Sequence, residues 1–346
     1  MMRLPEHLAD RLLPWYRANR RTLPWRETTD PYRIWLSEIM LQQTRVEAAK
    51  SYYRRFLEAL PDIRSLAECP EDKLLKLWEG LGYYSRARNL QKAAKQIQEE
   101  FDGRFPCDPA QVQKLPGIGS YTAGAICSIC YDLPTPAVDG NVLRVCARLA
   151  ASRSDVSLPA VKREISDALI PQFPPQGCGD FNQALMELGA TICIPRGTPH
   201  CGVCPLASVC CSRKDEQWRE IPVLSPKKAR IREEISVFLL RCGDKYALRK
   251  RPASGLLAGL WEYPSLSGLL SPQQALDQAA RWDCAPASLL RIRVWDHVFT
   301  HRTWHMTGYE MECSAMSRLF VWATQEELDG IYSLPSAFRK FYDNDR

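Results

Sequence analysis

The chain has 346 residues, a net charge of +6 and 14 cysteines. That length accommodates two domains, each able to bury its own core, and the mild basic excess permits a polyanionic partner without demanding one. Cysteines scattered without small-domain spacing exclude a secreted disulfide framework and point to a reducing compartment. The N-terminal MMRLPEHLADRLLPWYRANRR alternates charged with apolar residues, so it lacks the apolar core of a signal peptide and is too acidic for a transit peptide. No run reaches transmembrane length. The expectation is a soluble cytoplasmic monomer with no membrane partner.

From residue 6 to about residue 213 the apolar spacing is helical nearly throughout, with Pro and Gly separating segments of ordinary helix length. This half reads as all-α. Asp30–Pro31 has the chemistry of a helix start, a cap followed by proline at the first position, and the helix it opens runs through PYRIWLSEIMLQQ. Ile34 and Leu41 share a face with Glu38, and Trp35 adjoins it, so Glu38 is expected to be withdrawn from water. Burial raises a carboxyl pKa, and a glutamate that keeps its proton near neutral pH is a general-acid candidate. The competing reading is a buried glutamate satisfied by a structural partner.

The stretch LPGIGSYTAGAI, residues 115 to 126, sets two glycines before an Ala-rich helix. A Rossmann turn would need a preceding strand and a third glycine where this chain has Thr122; the residues before it, DPAQVQKLPG, read instead as a short helix. Two helices joined by a glycine turn present backbone N–H groups where the helix dipole favours an anion, such as a backbone phosphate. Further on, Asp139 in AVDGNVLRVCARL precedes a helix with apolar Val142, Leu143, Cys146 and Leu149. As an N-cap its carboxylate is expected to be held anionic by helix N–H groups. One protonated acid and one carboxylate are the usual pair for cleaving a glycosidic bond.

Cys193, Cys201, Cys204 and Cys210 read C-x7-C-x2-C-x5-C and close the helical half. Four thiolates this close together can wrap one centre. Zinc favours two paired C-x2-C knuckles, whereas one C-x2-C flanked by longer arms suits an iron–sulfur cluster better. Cys211 follows directly and is read as a spare thiol. Residues 214 to 234, charged and Pro-bearing, read as a linker between a domain spanning 1–213 and one spanning 235–346. Beyond it the period changes: ISVFLLR, KYALRKR, LWEYPSL, RIRVWDHVFTH and RLFVWAT look like strands and PQQALDQAARW like a helix, an α+β pattern.

Taken together, LPWR (23 to 26), SEIMLQQTRV (37 to 46), WEGLGYYSRARNL (78 to 90), LPGIGSYTAGAI, AVDGNV (137 to 142), FNQALMELGA (181 to 190) and the cysteine cluster resemble the helix-hairpin-helix DNA glycosylases that carry an iron–sulfur cluster, and among them the adenine-specific MutY type. The resemblance covers nearly the whole chain. It implies a partner in double-stranded DNA carrying adenine opposite 8-oxoguanine or guanine, a 4Fe-4S cluster on the four cysteines, and association with a bacterial nucleoid through DNA. Glu38 falls on the glutamate implied to protonate adenine at N7 and later activate water. Asp139 falls on the aspartate implied to stabilise or capture the sugar cation, with Asn141 near the reaction centre. Gly117 and Gly119 would offer N–H groups to a phosphate. Trp25, Arg26 and Gln183 would surround the extruded base, while Gln43, Leu81 and Tyr83 would wedge the minor groove and probe the opposite base; ordinary packing is the competing reading for Leu81 and Tyr83. Tyr121 stands where the related endonuclease III type has a Schiff-base lysine, which implies a monofunctional enzyme.

The second half resembles the Nudix fold as this family uses it to recognise 8-oxoguanine. GLLSPQQALDQAARWD lacks the carboxylate cluster that a hydrolytic Nudix domain needs for magnesium. Phe299, Thr300 and His301 sit where the family has a Phe-Ser-His loop, Thr300 keeping the hydroxyl and adding a methyl. The first cysteine gap is seven residues where the family usually has six. Three other readings are a glycosylase for another mismatched base, disfavoured by the C-terminal domain; a nucleotide-pool hydrolase with a helical accessory domain, disfavoured by the missing carboxylates; and a DNA-binding protein without catalysis, disfavoured by Glu38 and Asp139.

Overall fold

The computed structural model describes residues 2–226 and 229–341. In chain order its helices begin α1 (Leu8–Asn19), α2 (Pro31–Leu41), α3 (Val46–Ala59), α4 (Ile63–Glu68), α5 (Glu71–Leu77), α6 (Ser85–Glu100), α7 (Pro109–Val112), α8 (Ser120–Tyr131), α9 (Gly140–Leu149), α10 (Pro159–Leu169) and α11 (Cys178–Thr191). Two compact units form, one from residues 1–68 and 89–226, the other from residues 69–88 and 227–346. Among the described residues no helix is long and apolar enough to cross a membrane.

The first unit is helical, as its periodicity requires. Asp30 caps α2 by accepting from the Arg33 N–H at 3.1 Å, with Pro31 at the first position. The helix stops at Leu41 rather than Gln43, and Gln43 takes a left-handed φ of +59°. Its core joins α1, α9, α10 and α11 through side chains including Leu12, Val145, Ile165 and Leu185. Two features set the position of the α9 start. Asn182 of α11 is fully buried and accepts from the Ala137 N–H at 3.1 Å while donating to Ser128 Oγ and Thr135 O at 2.8 Å each, which latches the loop before Asp139. Gly189 of α11 lies so close to Asn141 that a Cβ there would stand 2.5 Å from the Asn141 Cβ.

The stretch expected as a linker is largely structured. Cys211–Arg219 forms a 3-10 helix, Ile221 is buried with the helical core, and Val223 bridges to Asp155. The apolar residues Trp218, Ile221 and Val223 supply the anchors that the charged composition around them obscured.

The second unit holds a mixed sheet of β1 (Ile231–Cys242), β2 (Lys245–Lys250), β3 (Trp261–Glu262), β4 (Ser265–Ser267), β5 (Pro286–Val298), β6 (Arg302–Cys313) and β7 (Val321–Thr324), with α12 (Pro272–Arg281), α13 (Gln325–Gly330) and α14 (Ser336–Arg339). The order is β3-β2-β1-β6-β5, with β1 and β6 parallel and β5 and β6 an antiparallel hairpin. The expected strand 260–266 is two short strands broken at Pro264, because proline cannot donate to a ladder. Residues 299–301 form the turn of the β5–β6 hairpin instead of continuing the strand. β6 was not expected; it is an interior strand between β1 and β5, and its extensive burial masks the alternation that marks a half-exposed strand. Residues 69–88 join this unit through side chains: Lys250 pairs with Asp72 at 2.8 Å, and Arg88 reaches Glu71 and the Ala258 carbonyl at 2.6 Å each.

Gly189→Ala forces a methyl into the α11–α9 contact. We expect a loss of about 1–3 kcal/mol, read as a lower denaturation midpoint in urea, because overpacking must shift backbone here.

Candidate active site

Within the helical unit, α2 and α11 each present one helical stripe to a cavity of about 660 Å³: Ile34, Ser37, Glu38 and Leu41 from the first, Gln183, Met186, Glu187 and Ala190 from the second. Both sets run i, i+3, i+4, i+7, one face of a helix. Trp25, Arg26, Gln43, Tyr121, Asp139 and Asn141 complete the wall, so eight sequence-derived site residues meet at one place.

Glu38 is 7% exposed, and its Oε2 accepts from the Tyr121 hydroxyl at 2.7 Å. Burial pushes its carboxyl up to about 7, the Tyr121 hydrogen bond opposes the rise, and the charge of Asp139 adds to it. Tyr121 is driven well above the ordinary phenol range by burial and by the adjoining Glu38 and Asp139, so it remains a neutral donor.

Asp139 caps α9 as expected, its Oδ1 accepting from the Val142 N–H at 2.8 Å and its Oδ2 from Asn141 Nδ2 at 2.7 Å. The expected depression of its pKa is not found. Burial outweighs the cap: the carboxyl is raised, with the Val142 and Asn141 hydrogen bonds and the Arg144 charge only moderating the rise. The order of the two acids nevertheless persists, since Asp139 has N–H donors on both oxygens, and of the two only Glu38 is raised by a large amount. A shared negative charge therefore rests on Asp139.

Glu187 was not anticipated, although its spacing from Gln183 carried the signal. It is 1% exposed and gripped by Arg21, Nε at 2.7 Å and Nη2 at 2.8 Å, and by Arg26 Nη2 at 2.7 Å. Burial alone would raise its carboxyl, but the two guanidinium groups hold it at about 2. Tyr16 was also missed; its hydroxyl donates to Gln183 Oε1 at 3.1 Å and so orients that amide. Arg144 donates to Asn141 Oδ1 at 2.9 Å and to the Cys193 carbonyl at 2.8 Å, which ties the α9 start to the cysteine segment.

Cys193, Cys201, Cys204 and Cys210 line a second, smaller cavity with Arg148 and Trp218, while Cys211 is exposed and outside it. Among the described residues no three His, Cys, Asp or Glu side chains converge tightly enough for a single metal ion. The four thiols line one cavity, a donor set of the chemistry that iron–sulfur clusters use.

Gly117 and Gly119 border neither cavity. Gly117 needs to be glycine, with φ +79° and Asn89 Cβ only 2.7 Å from any added Cβ; Gly119 caps α8 with open space beside it. The remaining residues lie in the second unit. Leu81 is 7% exposed and Tyr83 46% exposed, and the Tyr83 hydroxyl meets Thr300 Oγ1 at 2.5 Å. Phe299 stacks edge-on to Trp304 and His297 and anchors the hairpin turn, whereas Thr300 and His301 are exposed. Tyr83, like Gln43, holds a left-handed backbone, φ +46°, a strained state for a side-chain-bearing residue.

The buried Glu38 gives a stability test. Its folded pKa exceeds its unfolded value near 4.5, so its contribution is intact below pH 4.5 and is lost as pH rises to about 7. Glu38→Gln keeps an acceptor for Tyr121 and has no charge to bury. Its melting temperature should exceed that of the parent increasingly between pH 5 and 8, a gain on the order of 3 kcal/mol; an advantage that does not change with pH would contradict the raised pKa.

Residues 36–170 match the HhH-GPD superfamily of base excision DNA repair proteins, and residues 236–344 match the NUDIX domain. The chain is 35% identical over 382 residues to the human adenine DNA glycosylase, covering 91% of this chain and 70% of that protein. It is 36% identical over 255 residues to the adenine DNA glycosylase of Buchnera aphidicola subsp. Schizaphis graminum, covering 73% of each. Among solved structures, a thermostable thymine-DNA glycosylase superposes with a TM-score of 0.55 at 28% identity, covering 59% of this chain and 94% of that one. A trapped endonuclease III–DNA intermediate shares the fold of the helical unit, with a TM-score of 0.51 at 23% identity over 60% of this chain and 94% of that one. Glu38 and Asp139 both lie in the HhH-GPD match of a chain whose similarity to the human relative covers 91% of its length, and the chain belongs to the adenine DNA glycosylase family.

Proposed function

We propose that this enzyme binds double-stranded DNA, extrudes adenine paired with 8-oxoguanine or guanine, and hydrolyses its N-glycosidic bond without cutting the strand. The observation that carries the reading is the meeting of a carboxylic acid titrating near neutrality, Glu38, with a more acidic carboxylate, Asp139, on the wall of one cavity. A volume of about 660 Å³ suits an extruded base. Glu38 gives its proton to adenine N7 as the bond to N9 breaks and its electron pair leaves with the base. Asp139, kept in place by Val142 N–H and Asn141, faces the sugar cation left behind. Glu38, now a carboxylate, then takes a proton from the water that attacks C1′.

Trp25, Arg26 and Gln183 hold the base, with Glu187 fixing Arg26. Tyr121 offers a neutral hydroxyl and no amine, so no Schiff base forms and the product is an intact strand with an abasic site. We assign Gly117 and Gly119 to a DNA phosphate, and the space beside Gly119 supports a close approach there. Gln43, Leu81 and Tyr83 enter the minor groove, and the Phe299–Thr300–His301 turn reads the opposite base; the Tyr83–Thr300 hydrogen bond supports joint action of wedge and reader. Cys193, Cys201, Cys204 and Cys210 hold a 4Fe-4S cluster, which would fix this loop and not enter the bond cleavage. A visible absorption band of the purified protein, lost on chelation or oxidation, checks the cluster; a colourless, zinc-containing protein would overturn it.

Duplexes with adenine opposite 8-oxoguanine, guanine or thymine test the function. We expect abasic sites that break only after alkali, fastest opposite 8-oxoguanine; strand breaks before alkali would rule out the monofunctional reading. Glu38→Gln should lower single-turnover excision by about 10²–10⁴-fold while binding persists. Excision by the parent should decline as pH rises through about 7, because the active form is the protonated acid.

A further inference from the structure

The wedge segment is interior to the helical half by sequence but belongs to the second unit by packing. Its shape is fixed from within. Arg86 Nη2 donates to the Leu81 carbonyl at 2.9 Å and the Gly82 carbonyl at 3.1 Å, Trp78 Nε1 donates to the same Gly82 carbonyl at 3.1 Å, and the Arg86 guanidinium lies 5.3 Å from the Trp78 ring centre and 5.8 Å from that of Tyr83. Immediately before it, Glu79 forms a four-donor node on the C-terminal elements. Its carboxylate accepts from the Leu334 N–H at 2.7 Å, from Arg339 Nε at 3.2 Å and Nη2 at 2.7 Å, and from Lys76 Nζ at 2.9 Å. Lys76 also donates to the Leu328 and Tyr332 carbonyls at 3.0 Å each. The Glu79 side chain is 10% exposed, so this node is partly desolvated, unlike a surface pair.

We propose that Glu79 is a positioning residue for selection of the base opposite adenine. The node clamps the start of the wedge to the α13–α14 end of the C-terminal domain, and the Tyr83–Thr300 contact holds its tip to the reading turn. Leu81 and Tyr83, two and four residues beyond Glu79, therefore keep a defined position relative to Thr300 and His301. Releasing one end leaves the catalytic cavity unchanged but blurs the registration between wedge and reader, where errors on the order of 1 Å are costly. This inference rests on the proposed DNA-reading roles of those residues.

The test compares single-turnover excision of adenine opposite 8-oxoguanine and opposite guanine by the full-length protein, Glu79→Gln, Arg339→Gln, their double variant, and Glu79→Asp. We expect Glu79→Gln to lower the 8-oxoguanine-to-guanine rate ratio about tenfold, the double variant to be no worse than the lower single variant, and Glu79→Asp to recover part of the ratio. The guanine rate should stay within about twofold of the parent in each. Thermal melts report folding separately. A ratio unchanged in both Glu79→Gln and Arg339→Gln overturns the inference while leaving the functional reading intact. A parent enzyme with no preference for 8-oxoguanine overturns both. Equal losses on both duplexes in both single variants would mean the node merely stabilises the fold, which also overturns it.

Discussion

Withdrawal of the Glu38 carboxyl from water is the constraint on which the chemistry depends. An exposed glutamate would be ionised near neutral pH and could not donate a proton. Here α2 buries Ile34, Trp35 and Leu36 beside it, and the hydroxyl of Tyr121 is the donor that satisfies it. That single donor stabilises the ionised form too little to offset desolvation, so the acid remains protonated to about pH 7. Stability is sacrificed locally for a usable proton, an arrangement expected where a site needs an acid at the working pH.

The second acid shows why position alone does not set charge. A helix cap ordinarily lowers a carboxyl pKa, and Asp139 has that cap, yet the same packing that seals the cavity also desolvates Asp139. What separates the two groups is the number of donors aimed at each. Asp139 has the Val142 N–H and the Asn141 amide, and Asn141 is itself held by Arg144 and pressed by Gly189. Glu187 is the opposite extreme, as buried as Glu38 but met by two guanidinium groups, and it is fully ionised. Three carboxyls of one cavity are thus shifted differently, Glu38 up to about 7, Asp139 upward by less and Glu187 down to about 2, through differing donor sets.

Beyond the cavity, the structure links parts that the chain order separates. Arg144 connects Asn141 to the backbone of Cys193, so the α9 start and the cysteine loop share one hydrogen-bonded support. In the other unit, Lys76, Glu79 and Arg88 fasten a segment from the middle of the chain to elements near its C-terminus. Leu81, Tyr83 and the turn at residues 299–301 are therefore parts of one compact unit.

Much of this was legible in local pattern. The i, i+3, i+4, i+7 stripe around Glu38 marks a buried face, Asp30–Pro31 marks the start of α2, and the four cysteines are close enough in sequence that their gathering needs no long-range information. Gln183 was found but Glu187, one turn on, was passed over, because a buried glutamate looks like any surface glutamate until the arginines that neutralise it, 161 and 166 residues away, are located. β6 lacked alternation because both its faces are covered, and the packed stretch around Trp218 and Ile221 was disguised by charged neighbours. By itself the sequence determined the helical and α+β halves, the capped helix starts, and the presence of a glutamate on an apolar helix face, a capping aspartate and four clustered cysteines. Only the tertiary structure decided that Asp139 is raised rather than lowered, that Glu187 is ionised, and that residues 69–88 pack with the C-terminal half, because desolvation and long-range pairing depend on what folds against a group and not on its neighbours in the chain.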